Sequence, residues 1–505
     1  MHRPSRPEAE FAAELGAVRP DLSAPYADAL PGARAAVLSR LWRALAYEPL
    51  AWVARRERGR DGLALRLRDG RRLHGPHADP YATTAYATEV RLDGRPYDHP
   101  ARLMEDLAVA HGSAFAAELD NSVVSLALSR AGQATFGEPA ESATSLGWEQ
   151  RVVDGHPYHP NCRSRPGFSV AEQLAYAPEH RPAVELGLMP AEDCLVTGEW
   201  PKWLRDGERV LIPVHPWQAA HVLDGPVQEG FAAHPLMSLR TLALPDGPHV
   251  KTALSARLTS SVRDISVYSV ETAETVSAFM EKVTERLDLP LHVTRTLGAA
   301  SANAPDLAAV LREPPDAYAA PGERVVPVAA LPLTALPEHP GRLAEFTRLV
   351  LTVGLRLLEA GVALEAHGQN LLVVLDHVGA PVRLVYRDLA DIRVSPARLA
   401  RHGIPVPALS GRIVTDDETT LRRKLFGSLV GGTLGATAGS TAALREALEK
   451  VVRDLPGTPD LPALLEQPLP TKALTLMRLS PGTPGDSWTQ LPNPLAVPGS
   501  ATLSF

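Results

Sequence analysis

The most constraining stretch of the chain runs from Glu365 to Asp388. It reads Glu-Ala-His-Gly-Gln-Asn, then Leu-Leu-Val-Val-Leu, an Asp-His-Val-Gly-Ala-Pro turn, Val-Arg-Leu-Val-Tyr, and finally Arg387-Asp388. Two apolar runs of strand length around a turn predict a β-hairpin. Both outer ends of that hairpin are polar, so Asn370 and Asp388 can lie side by side. An amide oxygen beside a carboxylate makes a hard-oxygen site suited to Mg²⁺. Protein kinases use a comparable order, an Asn and a later Asp beyond a hairpin, to hold magnesium on ATP. The plainer alternative is a polar turn with a capped hairpin.

Around this hairpin the chain divides by character. The first 150 residues read as mostly helical, with apolar residues at helical spacing over 35–52 and 101–131. Between those lies a hairpin pattern over 62–73, turning at Asp69-Gly70. Residues 151–310 shift to short strand-like runs at 210–214, 250–254 and 266–270, separated by loops rich in His, Pro and Ser. They predict an antiparallel sheet with some helices. A Pro-rich stretch over 313–340 reads as a linker or as an irregular surface segment, with a domain boundary near its end. Residues 342–360 then form a strong amphipathic helix, and the remainder reads helical apart from the hairpin. A Gly-rich run over 427–440 lacks the Gly-Lys-Ser/Thr ending of a Walker loop, so close helix packing is its reading.

Composition narrows the function classes. A chain of 505 residues can build two to four units with sizeable cores. Its net charge of -7 gives no basic surface for nucleic acid, although a local cationic pocket stays possible. The N-terminus has no apolar run of signal-peptide length. Charges such as Arg356 and Glu359 interrupt the apolar stretches, so no transmembrane helix is expected. Cys162 and Cys194 are the only cysteines and suit a reduced cytoplasm. The lysines are Lys202, Lys251, Lys282, Lys424, Lys450 and Lys472; every other basic side chain is Arg or His. A lysine kept against that bias points to chemistry that wants a compact ammonium, an argument applied here to Lys251.

Two further constellations seek anions. Gly155–Gly167 carries His156-Pro and His159-Pro, and a residue before proline is held extended. Arg163, Ser164 and Arg165 follow, so the loop can present imidazoles and guanidiniums to phosphate. Zinc on His156, His159 and Cys162 is the metal alternative, but no second Cys/His cluster accompanies them. A proline-stiffened structural loop is the other. The second constellation spans 238–263 with Ser238, Arg240, Thr241, Lys251, Thr252, Thr259, Ser260, Ser261 and Arg263. Its hydroxyls and cations suit phosphates and carboxylates. Alone, it would read as a solvated sheet face. In His215-Pro-Trp-Gln218, Trp217 is expected to pack under a loop, with a ligand role for His215 left open. There is no Walker loop, nucleophile elbow or kinase His-Arg-Asp loop.

In their order, these motifs resemble the IucA/IucC family, the NRPS-independent siderophore synthetases related to aerobactin synthetase. The matching elements are GHPYHPNCRSRPG, HPWQ, SLRT…VKTAL…LTSSVR, EAHGQN…YRD and KALTLMRL…NPL, from about 149 to 495. The resemblance implies an α+β cupped hand: a mostly helical N-terminal thumb (1–150), fingers with an antiparallel sheet and nucleotide-binding loops (151–335), and a mostly helical palm with the metal/nucleotide hairpin (336–505). It also implies a cytoplasmic enzyme, often a homodimer, that uses ATP and Mg²⁺. A carboxylate of citrate or a related acid would attack the α-phosphate, and an amine or a hydroxyl would then displace AMP. By resemblance, His159, Arg163, Ser164 and Arg165 approach the phosphates, and Ser238, Arg240 and Thr241 lie along the nucleotide. Lys251, Thr259 and Arg263 hold the α-phosphate and the substrate carboxylates, with His156 and Ser260 also on the substrate. His367 stabilises developing charge, Gln369 binds nucleotide or substrate, and Glu365, Asn370 and Asp388 place magnesium. Lys251, Arg263 and His367 form the catalytic set. The family loop often has Lys where this chain has Arg163, which keeps the charge but changes the donor geometry. From the residues alone, a phosphotransferase releasing ADP and a non-catalytic anion-binding protein remain open.

Overall fold

The structure is a computed structural model that describes residues 6–136, 144–259 and 261–496. Ser260, one of the expected substrate residues, lies outside the described residues. The N-terminal region contains helices α1 (Arg6–Val18), α2 (Ser23–Tyr47), α3 (Pro100–Leu107), α4 (Gly112–Ala131) and α5 (Ser145–Gln150). Two helices differ from the expected spans for local reasons. α2 stops at Tyr47 because Glu48 precedes a proline and adopts extended backbone (φ -85, ψ 147). The run over 101–131 is broken in two, with Ala108 and His111 both left-handed (φ 49 and 60).

The hairpin expected at 62–73 is present but is only part of a sheet. Strands β1 (Val53–Gly59), β2 (Gly62–Leu67), β3 (Arg72–Gly75), β4 (Val90–Leu92) and β5 (Arg95–Tyr97) form an antiparallel meander in that order. The β2–β3 pair has Arg66 opposite Arg72 and turns through Gly70 at φ 91. β1 reads Val-Ala-Arg-Arg-Glu-Arg-Gly, which shows no apolar alternation; its pairing with β2 defines it.

The middle region supplies β6 (Val184–Ala191), β7 (Leu195–Gly198), β8 (Arg205–Asp206), β9 (Arg209–Val214), β10 (Gln228–Pro235), β11 (Thr241–Ala243), β12 (His249–Thr252), β13 (Leu254–Leu258), β14 (Ser261–Arg263), β15 (Leu291–Val293), β16 (Thr296–Ala304) and β17 (Leu307–Arg312). Nine of them make one sheet in the order β7-β16-β17-β12-β11-β10-β6-β9-β8. Leu186, Ile212, Leu242, Val250 and Leu311 pack together in one apolar cluster of this sheet. The strand expected over 250–254 ends at Thr252, and Leu254 begins β13, which pairs separately with β14. The expected strand over 266–270 is a helix, Val267–Glu271. Ser266 caps it by accepting the Ser269 N–H at 3.1 Å, and a hydroxyl N-cap outweighs the strand preference of so short a run.

The Pro-rich segment is part of a sheet. Its strand β18 (Arg324–Pro327) pairs with β20 (Leu371–Leu375), past the short β19 (Val362–Ala363), and β20 pairs with β21 (Pro381–Tyr386). β15 adds in parallel to β21, giving the order β15-β21-β20-β18. The hairpin is therefore flanked by strands that precede the expected boundary. β20 is buried along its whole length, so it needs neighbours on both edges and cover on both faces. The helix expected at 342–360 is Pro340–Ala360. The Gly-rich run does pack closely, as expected. It continues the helix Glu418–Ser428 through a π-helical turn at Leu429–Leu434. A Cβ on Gly435 would fall 2.7 Å from Tyr81, and one on Gly427 would fall 2.9 Å from Trp488.

Candidate active site

One cavity of about 1200 Å³ is lined by every expected site residue that the structure describes. Its walls come from the nine-stranded sheet, the 155–167 loop and the hairpin with its flanking loop.

The sheet wall follows from register. Thr241 lies opposite Lys251, and His249 lies opposite Arg312. Cross-strand partners share a face, and so do residues two apart on one strand. These four polar residues therefore project together, while Leu242, Val250 and Leu311 fill the core behind. Lys251 Nζ reaches Asp388 at 2.9 and 2.7 Å, and Arg312 Nη2 reaches the same carboxylate at 3.0 Å. Burial lowers the Lys251 ammonium to about 7, with Asp388 opposing the shift. Burial would raise the Asp388 carboxyl, but Arg312 and Lys251 hold it well below the usual range. Asp388 itself sits in left-handed backbone at φ 68.

Beside this cluster, Ser238 Oγ accepts the Thr241 N–H at 3.1 Å, which closes the turn that carries Arg240. Arg240 Nη1 donates to the Asp264 carbonyl at 3.0 Å and to that of Arg263. Burial lowers its guanidinium to about 10, against the attraction of Asp388. Arg263 Nη2 donates to the Leu258 carbonyl at 3.1 Å, and Thr259 makes the β13–β14 turn at φ 57.

The facing loop is clamped from below. Ser428 Oγ accepts the Ala366 N–H at 2.9 Å, and Thr433 Oγ1 donates to the Ala366 carbonyl at 2.6 Å. A Cβ on Gly368 would lie 3.0 Å from the Ala329 nitrogen, so glycine allows the close approach there. Gln369 N–H donates to His367 Nδ1 at 3.3 Å, and burial lowers the His367 pKa. Glu365 is bridged by Lys424 and Lys472, each at 3.1 Å. Burial opposes its ionisation, yet Lys472 and Lys424 keep it below the usual carboxylate range.

Arg387 N–H donates to the Asn370 carbonyl at 3.0 Å, so Asp388 stands one residue past the partner of Asn370. Asn370, Glu365 and Asp388 thus offer oxygen donors of the kind magnesium prefers. Both carboxylates are paired with ammonium or guanidinium groups, and a metal would have to replace those contacts.

The 155–167 loop faces the cavity differently. His156 Nδ1 accepts two backbone N–H groups, from Tyr158 at 3.1 Å and His159 at 3.0 Å. His159 Nδ1 accepts the Asn161 N–H at 3.0 Å, which leaves its Nε2 buried without a hydrogen-bond partner. Burial lowers His159 to about 3, so its ring is neutral near pH 7. Arg163 Nε donates to the Val153 carbonyl at 2.6 Å, and its Nη2 donates to Val152. Arg165 is only 2% exposed and lies 2.8 Å from Glu179. Ser164 Oγ donates to Asn121 Oδ1 at 3.4 Å. Both arginines therefore already hold partners on either side of the loop, Arg163 on the Val152 and Val153 carbonyls and Arg165 on Glu179. Cys162 is buried, with Sγ 3.6 Å from Ser122 Oγ. Among the described residues, no group of three His, Cys, Asp or Glu side chains is placed to hold a metal. His215 is also buried: its Nδ1 accepts the Trp217 N–H at 3.1 Å, and Trp217 stacks on Phe168 at 5.0 Å.

Sequence reasoning missed Arg312, Lys424, Lys472 and the pair of Glu149 with Arg387. One signal could have found two of these. Lys251, Lys424 and Lys472 line the cavity, whereas Lys202, Lys282 and Lys450 are exposed elsewhere. The scarcity of lysine pointed to all three lining residues, not to Lys251 alone.

Residues 144–332 match the IucA / IucC family, and residues 343–486 match the ferric iron reductase FhuF-like transporter family. The second segment contains no cysteine, and no helix among the described residues is long and apolar enough to cross a membrane. The chain is 27% identical over 310 residues to citryl-spermidine/3,4-dihydroxybenzoyl-citryl-spermidine:spermidine ligase of Bacillus anthracis, covering 48% of this chain. That match spans about half of the relative's own length, 50%. In structure it is similar to the petrobactin biosynthesis protein AsbB of Bacillus anthracis, with a TM-score of 0.77, 18% identity and 98% of each chain covered. It is also similar to ATP-bound aerobactin synthetase IucA of Klebsiella pneumoniae, with a TM-score of 0.71, 19% identity, and 92% of this chain and 99% of that one covered. At these identities the structural likeness shows a shared mixed helix-and-sheet fold.

Proposed function

The chain belongs to the IucA/IucC family, matched over residues 144–332, and from that premise we propose that it is an ATP-dependent ligase for siderophore-type biosynthesis. It would adenylate a carboxylate of citrate or a related polycarboxylic acid and join it to an amine, or to a hydroxyl. The observation that carries this reading is the cationic sheet wall, on which Lys251 and Arg312 converge on the single carboxylate of Asp388, with Arg240 and Arg263 beside them on the same cavity. A substrate bearing phosphates and carboxylates together suits such a wall. The citryl-spermidine ligase among its relatives supports the acid and amine classes, and the ATP-bound aerobactin synthetase supports the nucleotide.

In the proposed first step, a carboxylate oxygen of the acid attacks the α-phosphorus. The bond from that phosphorus to its bridging oxygen breaks, and pyrophosphate leaves with the electron pair. In the second, the amine nitrogen attacks the acyl carbon, AMP departs, and the nitrogen gives up a proton. Lys251 and Arg263 would hold the α-phosphate and the acid, and His367 would stabilise the charge developing there. Ser238, Arg240, Thr241 and Gln369 would lie along the nucleotide. The 155–167 loop would meet the phosphates through His159 and Ser164, with Arg163 and Arg165 supporting it, and His156, Thr259 and Ser260 would meet the substrate. A magnesium ion held by Glu365, Asn370 and Asp388 would neutralise phosphate charge. Asp388 occupies Lys251 at present, so an incoming anion or a metal would exchange one of the partners of that pair. The same reading divides the chain into thumb (1–150), fingers (151–335) and palm (336–505) of a cupped hand.

The test is ATP–pyrophosphate exchange against a panel of carboxylic acids, followed by mass spectrometry with a panel of amines. Exchange is expected only when an acid is present, with AMP as the nucleotide product. If citrate and related acids all fail to support exchange, the adenylation reading is wrong. Release of ADP would instead favour phosphotransfer, which the Asn370-then-Asp388 order also suits.

A further inference from the structure

Glu149 is fully buried at the end of α5 and touches both walls of the cavity from behind. One carboxylate oxygen, Oε2, accepts the Met237 N–H at 2.9 Å, immediately before Ser238. The other, Oε1, lies 2.6 Å from Arg387 Nη1. That second contact is ionic without the alignment of a hydrogen bond. Arg387 is itself tied to the facing loop: its Nε donates to the Gln369 carbonyl at 3.0 Å, and its backbone N–H donates to the Asn370 carbonyl at 3.0 Å. One buried carboxylate thus joins the turn carrying Ser238 and Arg240 to the strand end carrying Asn370 and Asp388.

A charge buried this deeply persists only where partners compensate it. Both oxygens of Glu149 have such partners, and the carboxylate itself does not line the cavity. We propose that Glu149 is a positioning residue which, through Arg387 and the Met237 amide, sets the spacing between the two walls that grip the nucleotide. This rests on the reading of Ser238–Thr241 and Gln369–Asp388 as ATP-facing. The β13–β14 hairpin with Thr259 and Arg263 has its own strand pairing and meets the braced turn one step further on, through the Arg240 guanidinium on the Arg263 and Asp264 carbonyls. Loss of the brace therefore acts first on the ATP walls that Glu149 touches directly, and less on the acid site.

The experiment measures ATP affinity by calorimetry and both KM values in pyrophosphate exchange for the whole chain, its Glu149→Gln and Glu149→Asp variants, and Arg387→Lys. Glu149→Gln is expected to weaken ATP binding and raise the ATP KM about tenfold or more, while the acid KM moves by less than about threefold. Glu149→Asp, which keeps the charge, is expected to fall between it and the parent. Equal shifts in both KM values, or an unchanged ATP affinity in folded Glu149→Gln, overturn the proposal. Should Glu149→Gln not fold, Arg387→Lys is read in the same way, since it keeps the charge but lacks the donor to Gln369; an unchanged ATP affinity there also overturns it. If the parent chain binds no ATP, the nucleotide reading and the brace fall together. If it binds and the variants bind as tightly, only the brace falls.

Discussion

Two clusters of basic and acidic side chains differ in what they join. Arg163 and Arg165 meet Glu179 close by in sequence, and Ser129 Oγ donates to the same carboxylate at 2.5 Å. Lys251 and Arg312 meet Asp388 across 137 and 76 residues of chain, between the nine-stranded sheet and the hairpin. The first cluster fastens one loop to its own support. The second spans a cavity, so a ligand can substitute for one of its members. Similar residue types thus fasten a loop in one place and face a cavity in the other, because the position of the carboxylate decides which.

Four substitutions or conditions break or sharpen that contrast. The largest effect is expected from Lys251→Ala, which removes a cation from the cavity wall. Pyrophosphate exchange should fall by about a hundred- to a thousandfold, while the melting temperature stays close to that of the parent. A comparable loss of stability with little loss per folded molecule would assign Lys251 to the scaffold. Arg165→Met should do the reverse. It leaves Glu179 buried with one fewer cation, costing about 3–5 kcal/mol in denaturant unfolding, while the folded fraction keeps most of its ATP affinity.

Next is the effect of pH on the spanning cluster. Lys251, lowered to about 7 by burial, is a cation below that value and neutral above it. ATP binding should therefore weaken as pH rises through about 7 to 9, and Lys251→Arg, which stays charged, should flatten that dependence. A parent whose affinity is level across the range would show that the bound anion restores the proton completely. The smallest effect is expected at Glu48, a buried carboxylate outside the cavity that accepts the Thr475 and Leu476 N–H groups at 3.1 and 2.7 Å. Burial raises its pKa to about 7, against 4.5 for a solvated glutamate side chain. A folded-state value above the unfolded one means that its contribution is present at low pH and is lost as pH rises from about 4.5 to about 7. Glu48→Gln should reduce that pH slope of stability by about one proton without altering pyrophosphate exchange.

The legible parts of the site were local in sequence. The Leu371–Leu375 and Pro381–Tyr386 hairpin, the proline-stiffened 155–167 loop and the Ser238–Arg263 run could be read because strand patterning, turn residues and polar clusters act over a few residues. The misread strand at 266–270 also had a local cause: the Ser266 cap gave its short run a helical start. The Pro-rich stretch at 313–340 was harder. Its strand β18 exists only because β20 needs a partner on that edge.

By itself, the sequence determined the hairpin, the residue types around it and the order of motifs, since each depends on short-range stereochemistry. Tertiary structure decided which charges meet. Lys424 and Lys472 bracket Glu365, Arg312 joins Lys251 on Asp388, and Arg163 and Arg165 turn inward to Glu179. Charge pairing depends on distance in space and on burial, and neither is set by separation along the chain.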